Sequence, residues 1–206
     1  MIPPSAGHIS SFWNWFSGVS TRLSLDLENA DILSELDRRV LGLNPGLSWE
    51  IGPYRSGGAQ FVISPSSHKS LLPLTISVME KAPKIPGWHF LPARPPKEWD
   101  FKFSLEDKNS EPIEIEGRDW TYVCLKYPDG LFDLILRCSP LPTDDEDTNW
   151  HAASLLVEGA LGEIAMLTHI NPVVAVESFQ IEHEAKARSV LSLRDDFRNM
   201  LKSQSG

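Results

Sequence analysis

The chain has 206 residues, 41% hydrophobic and 23% charged, which is enough to build one large domain or two small ones around a real core and argues against general disorder. Its formal net charge of −9 and pI near 5.1, with no cluster of Lys and Arg, argue against a nucleic-acid surface and leave two readings, a solvated acidic surface or one that attracts a basic partner. Two cysteines are too few for a disulfide scaffold or a structural zinc site.

From the N-terminus, a loose Pro3-Pro4 lead-in is followed by a short helix capped by Ser10 or Ser11. In it Phe12, Trp13, Trp15, Phe16 and Val19 gather at helical spacing. Four aromatics in FWNWF bury large apolar areas, so docking on the domain's own core is the expectation. A second helix starts at Asp31, carries Ile32, Leu33, Leu36, Val40 and Leu41 as its stripe, and stops at Asn44-Pro45-Gly46. Leu47 to Tyr54 and Ala59 to Ser64 read as a hairpin across Arg55-Ser56-Gly57-Gly58. The next helix starts at Ser66 or Ser67 with Pro73 in its first turns, and Trp88 to Ala93 follows as a strand.

The proline-rich PARPPKEW and the acidic SLEDKNSEP around a short strand at Phe101 to Ser104 mark a seam, dividing the chain into halves 1–96 and 97–206 or kinking one continuous domain. Beyond it come strands at Ile113 to Ile115, Trp120 to Tyr127 and Leu131 to Cys138. Pairing around a two-residue Asp129-Gly130 turn places Cys124 opposite Ile135 and Cys138 opposite Thr121, too far apart for a disulfide. The thiols therefore read as free, in a reducing compartment. The most apolar run, Trp150 to Ile170, is expected to be a mostly buried helix, with the acidic run Asp144 to Asp147 as its start rather than a metal site. A strand at Val173 to Phe179 and an amphipathic helix from Ser192, with Leu193, Phe197, Met200 and Leu201 on one face, close the chain.

Hairpins punctuated by helices predict an α+β fold, with antiparallel sheet covered on one side by helices, and the recurrence of hairpin, helix and strand suggests two similar small halves. The N-terminus MIPPSAGHISSFWNWF lacks a basic n-region and no run approaches a membrane span, so a cytoplasmic protein away from membranes is expected.

FWNWF, WEIGP, FVISP, AP-x-x-PGW-x-F, Arg94-Pro95 and LGE with Glu177 resemble a group of bacterial proteins without an assigned activity, an orphan family rather than an enzyme family. The resemblance spans most of Phe12 to Glu177 and implies no catalytic residues, cofactor or substrate.

Zinc-hydrolase, deaminase, nucleophile-elbow, P-loop and dinucleotide signatures are all missing from the sequence. Two constellations are singled out. Trp49, Glu50, Trp88, Arg94 and Trp99 fall near strand ends around the seam, where they could line a cleft for a ligand or partner peptide. Glu163 projects into the apolar face of the long run, so it is protonated, or paired, or lifted out by a helix that ends at Gly162. The sequence thus points to a non-catalytic protein-binding factor, a regulator, inhibitor or immunity-type protein, with no cofactor. The alternative is a small-molecule-binding protein or enzyme using the Trp88 to Trp99 seam.

Overall fold

The computed structural model describes residues 4–203, so the Pro3-Pro4 lead-in falls partly outside it. The chain is α+β and divides into two compact units, 1–94 and 95–206.

The first unit opens with α1 (Ala6–Leu25), a 20-residue helix and not the short one expected. Its cap is Ser5, whose hydroxyl accepts the His8 N–H at 3.4 Å, while Ser10 and Ser11 lie inside the helix. Nothing between Ala6 and Phe12 breaks a helix, and Ile9, Phe12, Trp13, Phe16, Val19 and Leu23 form one continuous buried stripe. Helix α2 (Ala30–Leu43) is capped by Asn29, whose Oδ1 accepts the Ile32 N–H at 3.2 Å; Asp31 sits in the first turn instead. It ends at Asn44, as expected.

Strands β1 (Ser48–Pro53) and β2 (Ala59–Ser64) pair antiparallel, with Trp49 opposite Ile63 and Ile51 opposite Phe61. A single 3-10 turn at Lys69–Leu71 leads into α3 (Leu72–Glu80), with Pro73 in its first turn, where a missing N–H costs nothing. Strand β3 (Trp88–Leu91) then joins β2 in parallel, so the sheet is not wholly antiparallel; a helical crossover between two strands makes that direction available. The α1 aromatics pack on this sheet: Phe16 stacks on Phe61 at 5.1 Å between ring centres and meets Trp88 edge-on at 5.0 Å. Trp13 lies edge-on to Phe90 at 4.8 Å and donates its indole N–H to the Val78 carbonyl at 2.9 Å. The β1–β2 turn needs glycine at Gly58, where φ is +84° and a Cβ would stand 2.3 Å from the Gly87 carbonyl oxygen.

In the second unit β4 (Lys102–Glu106) and β5 (Pro112–Glu116) form a separate hairpin. Strands β6 (Thr121–Lys126) and β7 (Phe132–Arg137) follow, one step out of the expected register: Cys124 faces Leu134 and Thr121 faces Arg137. The loop has three residues rather than two. Tyr127 N–H bonds the Leu131 carbonyl, Gly130 N–H bonds the Tyr127 carbonyl, and Gly130 takes φ +85°, a tight turn closed by a left-handed residue, with Pro128 fitting its first corner.

The long apolar run is two helices, α4 (Glu146–Leu161) and α5 (Glu163–His169), broken at Gly162. The acidic run does start α4: Asp145 accepts the Thr148 N–H at 2.9 Å and its hydroxyl at 2.6 Å. Strand β8 (Ile170–Val176) runs parallel to β7 and ends three residues before Phe179, which leaves the ladder to pack beneath the Arg137 guanidinium at 4.8 Å. A turn of helix, α6 (Ile181–Glu184), the two-residue β9 (Arg188–Ser189) and α7 (Leu193–Lys202) complete the unit. The sheet order is β8-β7-β6-β9. Each unit thus contains a hairpin, a helical crossover and a strand parallel to the hairpin's second member.

Helix α7 is held at its first turn by Asp196, which accepts from the Tyr122 hydroxyl and the Ser192 hydroxyl at 2.7 Å each and pairs with Arg188 at 2.9 Å. Burial pushes the Asp196 carboxyl up, but these donors outweigh it and hold the group below its ordinary value.

Both cysteines are free. Burial raises the Cys138 thiol to about 12, and burial with the nearby Asp133 and Asp196 charges raises Cys124 to about 11. Since the thiolate is the reactive form, native protein at about pH 8 should react slowly with a disulfide reagent and release both thiols only on unfolding. Fast, complete titration of the folded chain would contradict this.

Candidate functional site

Of the five residues singled out around the seam, four belong to the first unit and Trp99 to the second. Trp49 is anchored to α2, its indole N–H donating to Asp37 at 2.9 Å. Trp88 is only 8% exposed and serves the aromatic core. Glu50 and Arg94 do meet, at 2.7 Å, and Arg94 also donates to the Ser48 hydroxyl at 3.1 Å, so both are engaged at the strand ends. Trp99 packs on α4 at Gly159, where a Cβ would lie 2.5 Å from its ring, and groups with Phe101 and Phe103.

Glu163 combines two of the outcomes weighed for it. The helix does end before it, because Gly162 takes φ +85° and a Cβ there would stand 2.7 Å from Pro96. Yet Glu163 is not released into an extended segment: it opens α5 and is completely buried. A carboxyl group withdrawn that far from water has to be bonded, and the first turn of a helix is where its charge is best tolerated.

Trp88 lines a groove of the first unit and Trp99 one of the second, whereas Glu163 is enclosed. The second unit also holds an acidic groove. It has a volume of about 430 Å³ and runs between the β4–β5 hairpin and the start of α4, lined by Glu106, Asp107, Asp145, Asp147, Trp150 and His151 together with Lys108. Lys108 lies 3.9 Å from Asp145, at the limit of an ion pair. Trp150 is 53% exposed, an unusual position for an indole. Two of the carboxylates, Asp107 and Asp145, are half-buried and fixed by hydrogen bonds. Asp107 accepts backbone N–H groups of Glu111 and Asn109 at 2.9 and 2.7 Å, and these bonds hold it below the usual carboxylate range. The Thr148 hydroxyl and N–H do the same for Asp145.

Charge is divided unevenly along the chain. Residues 95–206 carry 11 basic and 21 acidic side chains, a net of −10, whereas 1–94 carry 8 and 7, a net of +1. In the sequence the acidic run and the apolar run read as one helix and its cap, which hides that Trp150 is the outward residue between them. The signal was there: Trp150 directly follows the acidic turn, at a position that the buried face of α4 (Ala152, Ala153, Leu156, Val157) leaves out.

No protein-family model, curated protein or solved structure matches the chain. The motifs that carry the resemblance to the bacterial orphan group fall on packing and turn positions. FWNWF supplies the buried Phe12, Trp13 and Phe16 of α1, WEIGP lies in β1, PGW is the turn into β3, and LGE is the α4–α5 break. Among the described residues no group of three or more His, Cys, Asp or Glu side chains is disposed to hold a metal ion, and no helix is long and apolar enough to cross a membrane.

Proposed function

We propose that the protein is a non-catalytic binding factor, a cytoplasmic regulator, inhibitor or immunity-type protein, that recognises a basic protein through the acidic face of its second unit. The observation that carries this reading is the concentration of the net charge on residues 95–206 together with an exposed Trp150 in a carboxylate-lined groove. A half-exposed indole offers a cation its ring face, and the surrounding carboxylates attract the same cation from a distance. The groove's makeup fits docking better than acid–base chemistry, because its bonded carboxylates Asp107 and Asp145 are both held below the range in which a general acid works. The free, unpaired cysteines fit a reducing compartment.

The test uses the full chain as bait in native lysate, then the purified partner. Association should slow by about tenfold or more between low and high ionic strength, as steered encounters do. Trp150→Ala should weaken the complex by roughly 2 kcal/mol, the size of an interface hot spot. Association rates that stay flat with salt, or a complex indifferent to Trp150, would refute the reading.

A further inference from the structure

We propose that the outer edge of β3 takes up an extended, mainly apolar polypeptide segment as a fourth strand of the first unit's sheet, a site separate from the acidic groove. The sheet order β1-β2-β3 leaves β3 at the end. The phase of its ladder is set by Ala59, which pairs with Trp88 and donates its N–H to the Gly87 carbonyl at 2.8 Å. In a parallel ladder each bonding residue reaches the two residues that flank its partner, so Gly87, His89 and Leu91 address β2. Phe90 therefore turns both its N–H and its carbonyl outward. Among the described residues, the bonds outside the ladders satisfy the neighbouring Trp88 N–H, from the Ile85 carbonyl at 3.1 Å, and reach neither group of Phe90. Backbone groups of this kind demand partners, and an open strand edge offers them to another chain.

The space beside that edge is shaped for a chain. A groove of about 520 Å³ lies along β3, lined among others by Tyr54, Met79, Ala82, Ile85, His89 and Phe90. The Tyr54 ring stacks on His89 at 3.7 Å and 21°, forming one wall; the end of α3 and the loop through Pro83 and Pro86 form the other. Among the described residues the lining holds no carboxylate and one lysine, Lys84, so a basic segment is not what it selects. Backbone pairing would supply affinity and the apolar walls would choose alternate side chains, which is the logic of strand addition.

Trp88-His89-Phe90-Leu91 has neither a proline nor a charged carboxylate or ammonium group. A second copy of the protein is a poor occupant, because its own β3 arrives flanked by the same two walls, and two walled edges cannot enter each other. An isolated segment of about four to six residues, near 3.3 Å each, matches a four-residue edge.

Heptapeptide phage libraries panned against the full chain supply the probe, and amide exchange by NMR reads the site. In free protein the Phe90 amide should exchange much faster than His89 and Leu91. A selected peptide should slow Phe90 exchange at least tenfold, lose binding on N-methylation at every second residue, and bind at least tenfold more weakly to Tyr54→Ala. Ile85→Arg, in the opposite wall, should repeat that loss, with the melting transition of each variant checked. Trp150→Ala should leave this binding unchanged, which separates it from the acidic groove. The proposal is overturned by recovering no binder, by an N-methyl scan without alternation, or by binding that leaves Phe90 exchange unchanged. Self-association of the chain that Tyr54→Ala abolishes would overturn it too, in favour of a second copy.

Discussion

Phe16→Ala should remove about 4 kcal/mol of stability, the cost of deleting a large buried aromatic and leaving its cavity. Phe16 is fully buried at the centre of the first unit, stacked on Phe61 and edge-on to Trp88 and Phe90, so the neighbours that would have to collapse inward are rings fixed by the sheet. For a unit of this size such a loss lowers the melting temperature by roughly 15 °C or more. Deleting the chain up to Val19 should go further and unfold the first unit, since β2 and β3 would lose the face that covers them. Thermal melting of either variant decides the matter: an unchanged transition would mean that the aromatic helix is an appendage and not part of the core.

Glu163→Gln should cost on the order of 3 kcal/mol, read as a shift in denaturant midpoint at constant slope. The side chain is completely buried, and the substitution preserves its shape while replacing an acceptor oxygen with an NH2 donor. A donor that faced the carboxylate then faces another donor. An unchanged midpoint near neutral pH would contradict this expectation.

Much of the architecture was legible because the local signals agree with the tertiary ones. The α2 stop at Asn44, the β1–β2 hairpin and the amphipathic α7 are each set by residues within a few positions of one another. The misreadings have local causes as well. Ser10 and Ser11 resemble caps, but Ser5 has a helix-compatible run after it and takes the role. Pro128 turns a two-residue loop into a three-residue one, and a single inserted position moves every pair along β6 and β7. Gly162 looked like a weakness in one helix and is a break between two, a choice made by Pro96, more than sixty positions earlier, occupying the place of a Cβ. The acidic groove was illegible for the same reason. Its two sides, near Asp107 and Asp145, are remote in sequence, and only the packing of the hairpin beside α4 brings them together. Charge division between the units was readable from the start, once the boundary was known.

The repeated hairpin, helix and parallel strand has a consequence in time. Hairpins close over a few residues within microseconds, whereas β3 and β8 each join only after a helical crossover has closed a much longer loop. In the first unit β3 is therefore the last strand to settle, and until it does, β2 presents its own ladder to whatever is near. During synthesis β2 is complete at Ser64 while β3 begins at Trp88, so for that interval the nascent sheet ends one strand earlier than in the finished protein. The buried, apolar character of Phe61, Val62 and Ile63 makes that interval the point at which a chaperone or a misdirected strand competes for this chain.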